Sequence, residues 1–326
     1  MPKVIPIRVQ KLIPQQYKFI EWKIHNVCNY NCSFCEPRHK DGSTKWLSLE
    51  KYKEYTDKLI SITNSNSVWF QITGGEPTLY PHLIDLLKYI KSKGVYISLI
   101  SNGSRTLRYW SELRQENVVD NLIITYHSEM TENYKHVTEV LNLFLDEPID
   151  TICLITHTQF TLNKALIASK YIIENTGSYI TPKAMYISDY NIYDTYSTDE
   201  LEILKSTNSV KGHLFNSKRK STIPFLNKIN HMLKVTYSDG SSKSIDPQIL
   251  MKNQENNYKD WSCAIGHNTM RIDSDVIYRG VCEMGDTQSL NDVNIRFAKD
   301  YVKCGLTWCF CNTDIIAEKI RIIEDK

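Results

Sequence analysis

Three cysteines fall within one short run, Cys28-Asn29-Tyr30-Asn31-Cys32-Ser33-Phe34-Cys35, at the spacing C-x3-C-x2-C. Three thiolates can hold three corners of a four-iron cluster and leave the fourth iron open to another ligand. A closed structural site uses four protein ligands, so the count points to open coordination chemistry; zinc is the competing occupant of any short cysteine cluster. The run follows an apolar-alternating stretch, Ile20, Trp22 and Ile24, which predicts a strand ending just before it.

Five further cysteines, Cys263, Cys282, Cys304, Cys309 and Cys311, form a second group near the C-terminus. Cys153 stands alone in the apolar run Thr151-Ile152-Cys153-Leu154-Ile155, where it reads as a small buried thiol. A hydrogen-donor role for Cys153 would require it to point into a reactive cavity. The N-terminus has no apolar signal segment, and no stretch approaches the about 18 apolar residues of a membrane span. The expectation is therefore a cytoplasmic chain, in which nine cysteines argue for metal or redox chemistry rather than a disulfide framework.

Lysine and arginine number 39 against 37 acidic residues, a net charge of +2, so nothing implies a nucleic-acid partner. The short string Lys218-Arg219-Lys220 reads as a solvated loop or helix face.

What must position the first cysteines is a strand–helix alternation. Strands are expected at 20–25, 68–73, 95–100, 121–126, 151–156 and 183–188, with helices at 48–63, 81–93, 105–116, 131–146 and 161–175. Leu83, Leu86, Leu87 and Ile90 share one helix face, and Gly94 supplies a stop. Such alternation predicts a parallel sheet with crossover helices, an α/β fold of the partial (βα)6 barrel kind, with chemistry at the C-terminal strand ends. Cys28–Cys35 follows the first of those ends. Residues 190–260 are more polar, with helical segments near 198–206 and 222–231 and a hairpin at 232–246 around Ser238-Asp239-Gly240-Ser241.

Other strand ends carry polar tips. The second ends in Gly74-Gly75-Glu76-Pro77, where two glycines admit a ligand close to the backbone and Glu76 offers a carboxylate to an ammonium group; a tight strand-to-helix turn explains the same residues. The third ends in Ser101-Asn102-Gly103, the fourth in Thr125-Tyr126-His127-Ser128 and the fifth in Thr156-His157-Thr158. His127 is a candidate acid/base group, or a structural histidine. Together these tips define a ligand-lined mouth.

Cys28-x3-Cys32-x-Phe34-Cys35 followed by Gly74-Gly75-Glu76-Pro77 after a strand resembles the radical S-adenosylmethionine (radical SAM) superfamily, over roughly residues 20–190. The resemblance implies that Cys28, Cys32 and Cys35 hold a 4Fe-4S cluster whose fourth iron is chelated by S-adenosylmethionine. It places Phe34 near the adenine and Gly74, Gly75 and Glu76 at the methionine ammonium. Ser101 and Asn102, and more loosely Tyr126, His127 or Ser128, fall at the ribose. Reductive cleavage of the cofactor would give methionine and a 5′-deoxyadenosyl radical that abstracts hydrogen from an unactivated C–H bond, in a dry, closely packed site. An electron donor of the flavodoxin or ferredoxin type is implied.

The C-terminal group resembles the auxiliary-cluster domains of the SPASM/twitch kind, and its five cysteines suit one second 4Fe-4S cluster. A strand, a turn at Asp273–Asp275 and a second strand would bring Cys263 and Cys282 to one end of a hairpin. The ending Cys309-x-Cys311 departs from the commoner Cys-x2-Cys. Cys263, Cys282, Cys309 and Cys311 are the expected ligands, with Cys304 open; a zinc knuckle is the alternative. The expected layout is a barrel over 1–190, a bridging or substrate-facing segment over 191–250, and an auxiliary-cluster domain over 251–326 with a β-hairpin and a short helix. The substrate is expected to be a small molecule such as a sugar or amino-sugar, since only a short stretch precedes the first predicted strand. A ribosomally made peptide is the alternative, and a non-catalytic zinc scaffold the remote one.

Overall fold

A computed structural model describes residues 4–15, 17–63, 67–145, 149–185, 196–200, 232–309, 311 and 313–321. The helices expected near 198–206 and 222–231, and Lys218-Arg219-Lys220, lie largely or wholly outside these residues. The chain divides into two compact units: one comprises Met1–Trp22, Tyr55–Phe70 and Pro224–Lys326, the other Lys23–Glu54 and Gln71–Ile223. This division does not follow the boundaries expected at 190 and 250, because contacts gather segments distant in sequence.

The unit containing Lys23–Glu54 and Gln71–Ile223 is the partial (βα)6 barrel, with the C-terminal ends of β2 (Lys18–Lys23) and β3 (Val68–Thr73). The chain then alternates α2 (Leu83–Ser92), β4 (Tyr96–Ser101), α3 (Leu107–Gln115), β5 (Asn121–His127), α4 (Tyr134–Leu143), β6 (Asp150–His157), α5 (Leu162–Asn175) and β7 (Tyr179–Ala184). Strands β4 to β7 pair in parallel in chain order. Their ends are staggered: Ser101 ends beside Ile124, His127 beside Thr156, and His157 beside Ala184. Stagger of this kind is what lets a parallel sheet curl toward closure.

The helices form for the expected reasons. In α2, Leu83, Leu86, Leu87 and Ile90 are all buried, and Gly94 follows at φ +75°, the left-handed conformation that ends a helix. Helix α3 is capped by Thr106 and α4 by Asn133, each accepting from a backbone N–H of the first turn. Strand β7 begins four residues earlier than expected. It contains Pro182 and is the last strand of its sheet, where a missing N–H is tolerated.

The other unit holds a six-stranded antiparallel sheet in the order β14-β10-β15-β1-β8-β9. Its strands are β1 (Pro6–Lys11), β8 (Leu233–Tyr237), β9 (Ser242–Ile245), β10 (Ser262–Cys263), β14 (Val302–Lys303) and β15 (Lys319–Ile320). The hairpin expected at 232–246 is β8–β9, turning at Gly240 with φ +83°. A short helix, α6 (Pro247–Lys252), follows. Val9, Leu233, Val235, Leu250, Trp261, Cys304 and Ile315 share one buried core. A second hairpin, β11 (Thr269–Asp273) with β12 (Val276–Tyr278), turns at Ser274 with φ +61°. Strand β1 was not expected: only Val9 in it is strongly apolar and buried, and its partners β8 and β15 lie more than two hundred residues away.

Candidate functional site

The cysteine loop is fastened to the end of β3 by backbone bonds. Beyond β2, Ile24 N–H donates to Thr73 O at 3.0 Å, Gly75 N–H to His25 O at 2.8 Å and Glu76 N–H to Val27 O at 2.8 Å. A Cβ on Gly74 would lie 2.8 Å from His25 O, and one on Gly75 2.3 Å from Val27 O. The two glycines are thus required by the approach of this chain's own backbone, where the sequence suggested either a ligand or a tight strand-to-helix turn. Asn26 closes the loop from within. It accepts from Thr44 N–H and directs its amide at Arg38 O, Asp41 Oδ1 and Ser43 Oγ.

Cys28, Cys32 and Cys35 line one half-open cleft of about 200 Å³ together with Phe34, Gly74, Gly75, Glu76, Ser101, Asn102 and His127. Ten of the expected residues therefore converge. The cleft is also lined by Tyr30, Lys40 and Thr125, which sequence reasoning did not single out. Cys32 Sγ lies 3.3 Å from His127 Nδ1. Phe34 stacks on the His127 ring (5.8 Å between centroids, 7°), and Tyr30 meets the ring edge-on. Lys40 Nζ donates to Cys32 O. Burial raises all three thiols, Cys32 to about 12, and lowers His127 to about 4. Such thiols stay protonated by themselves and become thiolates when a metal replaces the proton. The donor set suits a 4Fe-4S cluster: three soft ligands on one loop, with a cleft beside them.

Glu76 is wholly buried, and burial raises its carboxyl against the pull of its donors. Oε1 accepts from Thr78 N–H, Thr78 Oγ1 and Ser101 Oγ, while Oε2 accepts from Asn102 N–H at 2.7 Å. Oε2, with this one donor, keeps acceptor capacity, and Glu76 lines the cleft. Ser101 acts on Glu76 as a support. Asn102 Nδ2 donates to Asn29 Oδ1, and Asn29 Nδ2 to Ser104 Oγ, so this strand end also holds the cysteine loop.

Tyr126 and Ser128 depart from expectation, while Cys153 follows its reading as a small buried thiol. Side chains alternate along β5: Thr125 and His127 line the cleft, so Tyr126 faces the opposite side, where its hydroxyl donates to Thr131 O. Ser128 donates to Thr156 O and Thr161 Oγ1. Neither lines the cleft. Cys153 is paired in register with Ile124, which shares the face of Tyr126. It is fully buried, its thiol pushed up to about 12 by burial, on the helix-covered side. The alternation was legible in the sequence and would have excluded Tyr126.

The C-terminal cysteines assemble around two buried charges that sequence reasoning missed. Cys263 lies on β10, opposite Lys319 of β15, rather than on the β11–β12 hairpin. Asp314 accepts from Val281 N–H and from Cys282 N–H at 2.7 Å. Cys309 is tied to Asn256 by reciprocal bonds of 3.0 Å, and Ile315 N–H donates to Cys311 O at 2.9 Å. Burial raises the thiols of Cys263, Cys282, Cys309 and Cys311, and the charges of Cys263 and Cys309 reach Cys282. Lys319 is 1% exposed. Burial alone would discharge it, but the neighbouring Cys309, Cys263, Asp314 and Cys304 groups hold it above the usual lysine range. Cys263, Cys304 and Cys309 beside a buried cation, with Cys282 and Cys311 beside Asp314, suit an anionic iron–sulfur cluster. Among the described residues, no three His, Cys, Asp or Glu side chains converge as they would on a single metal ion.

A loop of three thiols is thus locked to a glycine-glutamate strand end at the mouth of a parallel α/β sheet. Residues 22–156 match the family model of the Radical SAM superfamily, and the chain carries that domain. It is 31% identical to a probable GTP 3′,8-cyclase of Thermococcus kodakarensis over 114 residues, 35% of this chain and 36% of that protein. It is 34% identical to an S-adenosylmethionine-dependent nucleotide dehydratase of a Thermoplasmatales archaeon over 97 residues, 30% of this chain and 33% of that protein. The chain thus spans about a third of the length of these relatives.

Among solved structures, the fold is similar to native anSMEcpe with bound AdoMet and Kp18Cys peptide (TM-score 0.52, 15% identity, 81% of this chain and 74% of that one). It is also similar to Streptococcus suis SuiB bound to precursor peptide SuiA (TM-score 0.54, 13% identity, 84% and 62%). No helix among the described residues is long and apolar enough to cross a membrane.

Proposed function

We propose that the chain is a radical SAM enzyme that holds a 4Fe-4S cluster on Cys28, Cys32 and Cys35 and S-adenosylmethionine in the cleft beside them. The carrying observation is the convergence of those thiols with Gly74, Gly75, Glu76, Ser101 and Asn102 on one cleft. Bound there, the cluster and cofactor would supply an electron and a primary carbon radical. The protein's own part is positioning. The free lone pair of Glu76 Oε2 would receive the methionine ammonium, Phe34 and Tyr30 would shield the adenine side, and the Asn26 knot would keep the loop from shifting.

A second cluster on Cys263, Cys282, Cys309 and Cys311, with Cys304 beside them, is the reading the C-terminal centre supports. Five cysteines exceed the four ligands of a single zinc ion and suit a four-iron cluster with one thiol beside it. The domain is accordingly of the SPASM/twitch kind.

The substrate is a small molecule in our first reading. The relatives matched at 31–34% identity are named for a nucleotide, although over the radical SAM domain alone. A peptide substrate is favoured by a different observation: two of the structures sharing the fold over 81–84% of this chain are bound to a peptide.

The test is iron and sulfide content after anaerobic reconstitution, with EPR of the dithionite-reduced protein with and without S-adenosylmethionine. About eight irons and a signal that shifts on cofactor addition are expected; zinc, or iron unresponsive to the cofactor, refutes the proposal. Stimulation of 5′-deoxyadenosine release by nucleotides or sugars, against peptides, separates the substrate readings.

A further inference from the structure

Lys319 is a buried cation with no carboxylate bonded to its ammonium. A buried ammonium costs several kcal/mol unless anionic charge faces it, and a hydrophobic side chain of similar volume serves packing as well. Its direct partners are three backbone carbonyls, Asp314 O at 2.8 Å, Ile315 O at 3.1 Å and Ala317 O at 3.0 Å. Its cross-strand neighbour is Cys263. Directly opposed residues of an antiparallel pair project on the same face, so ammonium stem and thiol leave the sheet together. The turn it clamps begins where Ile315 bonds Cys311, which joins Lys319 to a second thiol-bearing segment. The Tyr258 ring lies 5.2 Å beneath the ammonium. Asp314 aims its carboxylate elsewhere, at the backbone of Val281 and Cys282.

We propose that Lys319 is the built-in countercharge of the C-terminal thiol centre, a positioning residue that holds thiolate charge there and biases a bound iron–sulfur cluster toward its reduced form. This rests on the reading of that centre as a second cluster. Reduction adds one electron to an already anionic group, so a fixed positive charge in a dry setting favours it.

The test uses the full chain carrying Cys28→Ala, Cys32→Ala and Cys35→Ala, so that only the C-terminal centre takes up iron. Lys319→Gln keeps an amide to bond the carbonyls but removes the charge; Lys319→Arg keeps the charge. After anaerobic reconstitution, EPR-monitored redox titration should show the Gln variant about tenfold harder to reduce, about 59 mV lower, with the Arg variant near the parent value. A parent-like potential in a fully loaded Gln variant overturns the proposal. Loss of iron uptake with Gln but not Arg supports it, and loss with both overturns it. Absence of iron from the parent protein instead sinks the second-cluster reading itself.

Discussion

A Cβ on Gly75 would lie 2.3 Å from the carbonyl oxygen of Val27, one residue before Cys28. The Gly74–Glu76 strand end and the loop that begins at Cys28 are therefore one backbone assembly. Gly75→Ala must push the loop away, at a cost of about 1–3 kcal/mol. We expect lower thermal stability together with loss of iron from the first site. Full iron content in a folded Gly75→Ala protein would show that the loop tolerates displacement.

Cys28→Ala, Cys32→Ala or Cys35→Ala should each abolish 5′-deoxyadenosine formation from S-adenosylmethionine, because two thiolates cannot hold the cluster with one iron open. Continued cleavage in any of the three would remove the assignment.

Glu76→Gln replaces one carboxylate oxygen, and the new amide must face either Asn102 N–H or the Thr78 and Ser101 donors. Such a mismatch costs about 1–3 kcal/mol. Cofactor affinity should fall about tenfold, ~1.4 kcal/mol, while the cluster still assembles. Unchanged affinity, measured on reconstituted protein, would exclude the ammonium contact.

Cys153→Ala should leave cofactor cleavage and turnover unchanged, since Cys153 faces the helices. Stability should drop by about 1–2 kcal/mol through the lost sulfur volume. A fall in turnover with normal iron content would return Cys153 to the reactive side.

His157 is 1% exposed, with Nδ1 3.1 Å from the Tyr196 hydroxyl, and burial lowers it to about 4. The unfolded chain, with a histidine near 6.5, takes up the proton first. Stability is thus intact above about 6.5 and declines as pH falls toward about 4. His25 and His127 are lowered similarly, so His157→Gln should shallow this acid slope without abolishing it. Urea midpoints across that pH range would show it, and an identical slope in the variant would place the acid sensitivity elsewhere.

Much of the candidate site was written locally. Cys28, Cys32, Cys35 and Gly74–Pro77 declare themselves by spacing, and the helix faces by their period, because both depend on near neighbours in the chain. The period-2 alternation of β5 even held the answer for Tyr126. By itself the sequence determined a parallel α/β scaffold, an open three-thiol site and a second group of soft ligands.

Only the tertiary structure decided what those residues do to one another. That Gly75 yields to Val27, that Ser101 supports Glu76, that Cys153 faces away, and that Lys319 stands opposite Cys263 all follow from register and close approach between distant segments. Strand β1 belongs to the same class: weakly apolar alone, it becomes a strand through partners more than two hundred residues away. Local pattern sets which face is apolar, but the identity of the neighbour across that face is a long-range quantity that no window of sequence contains.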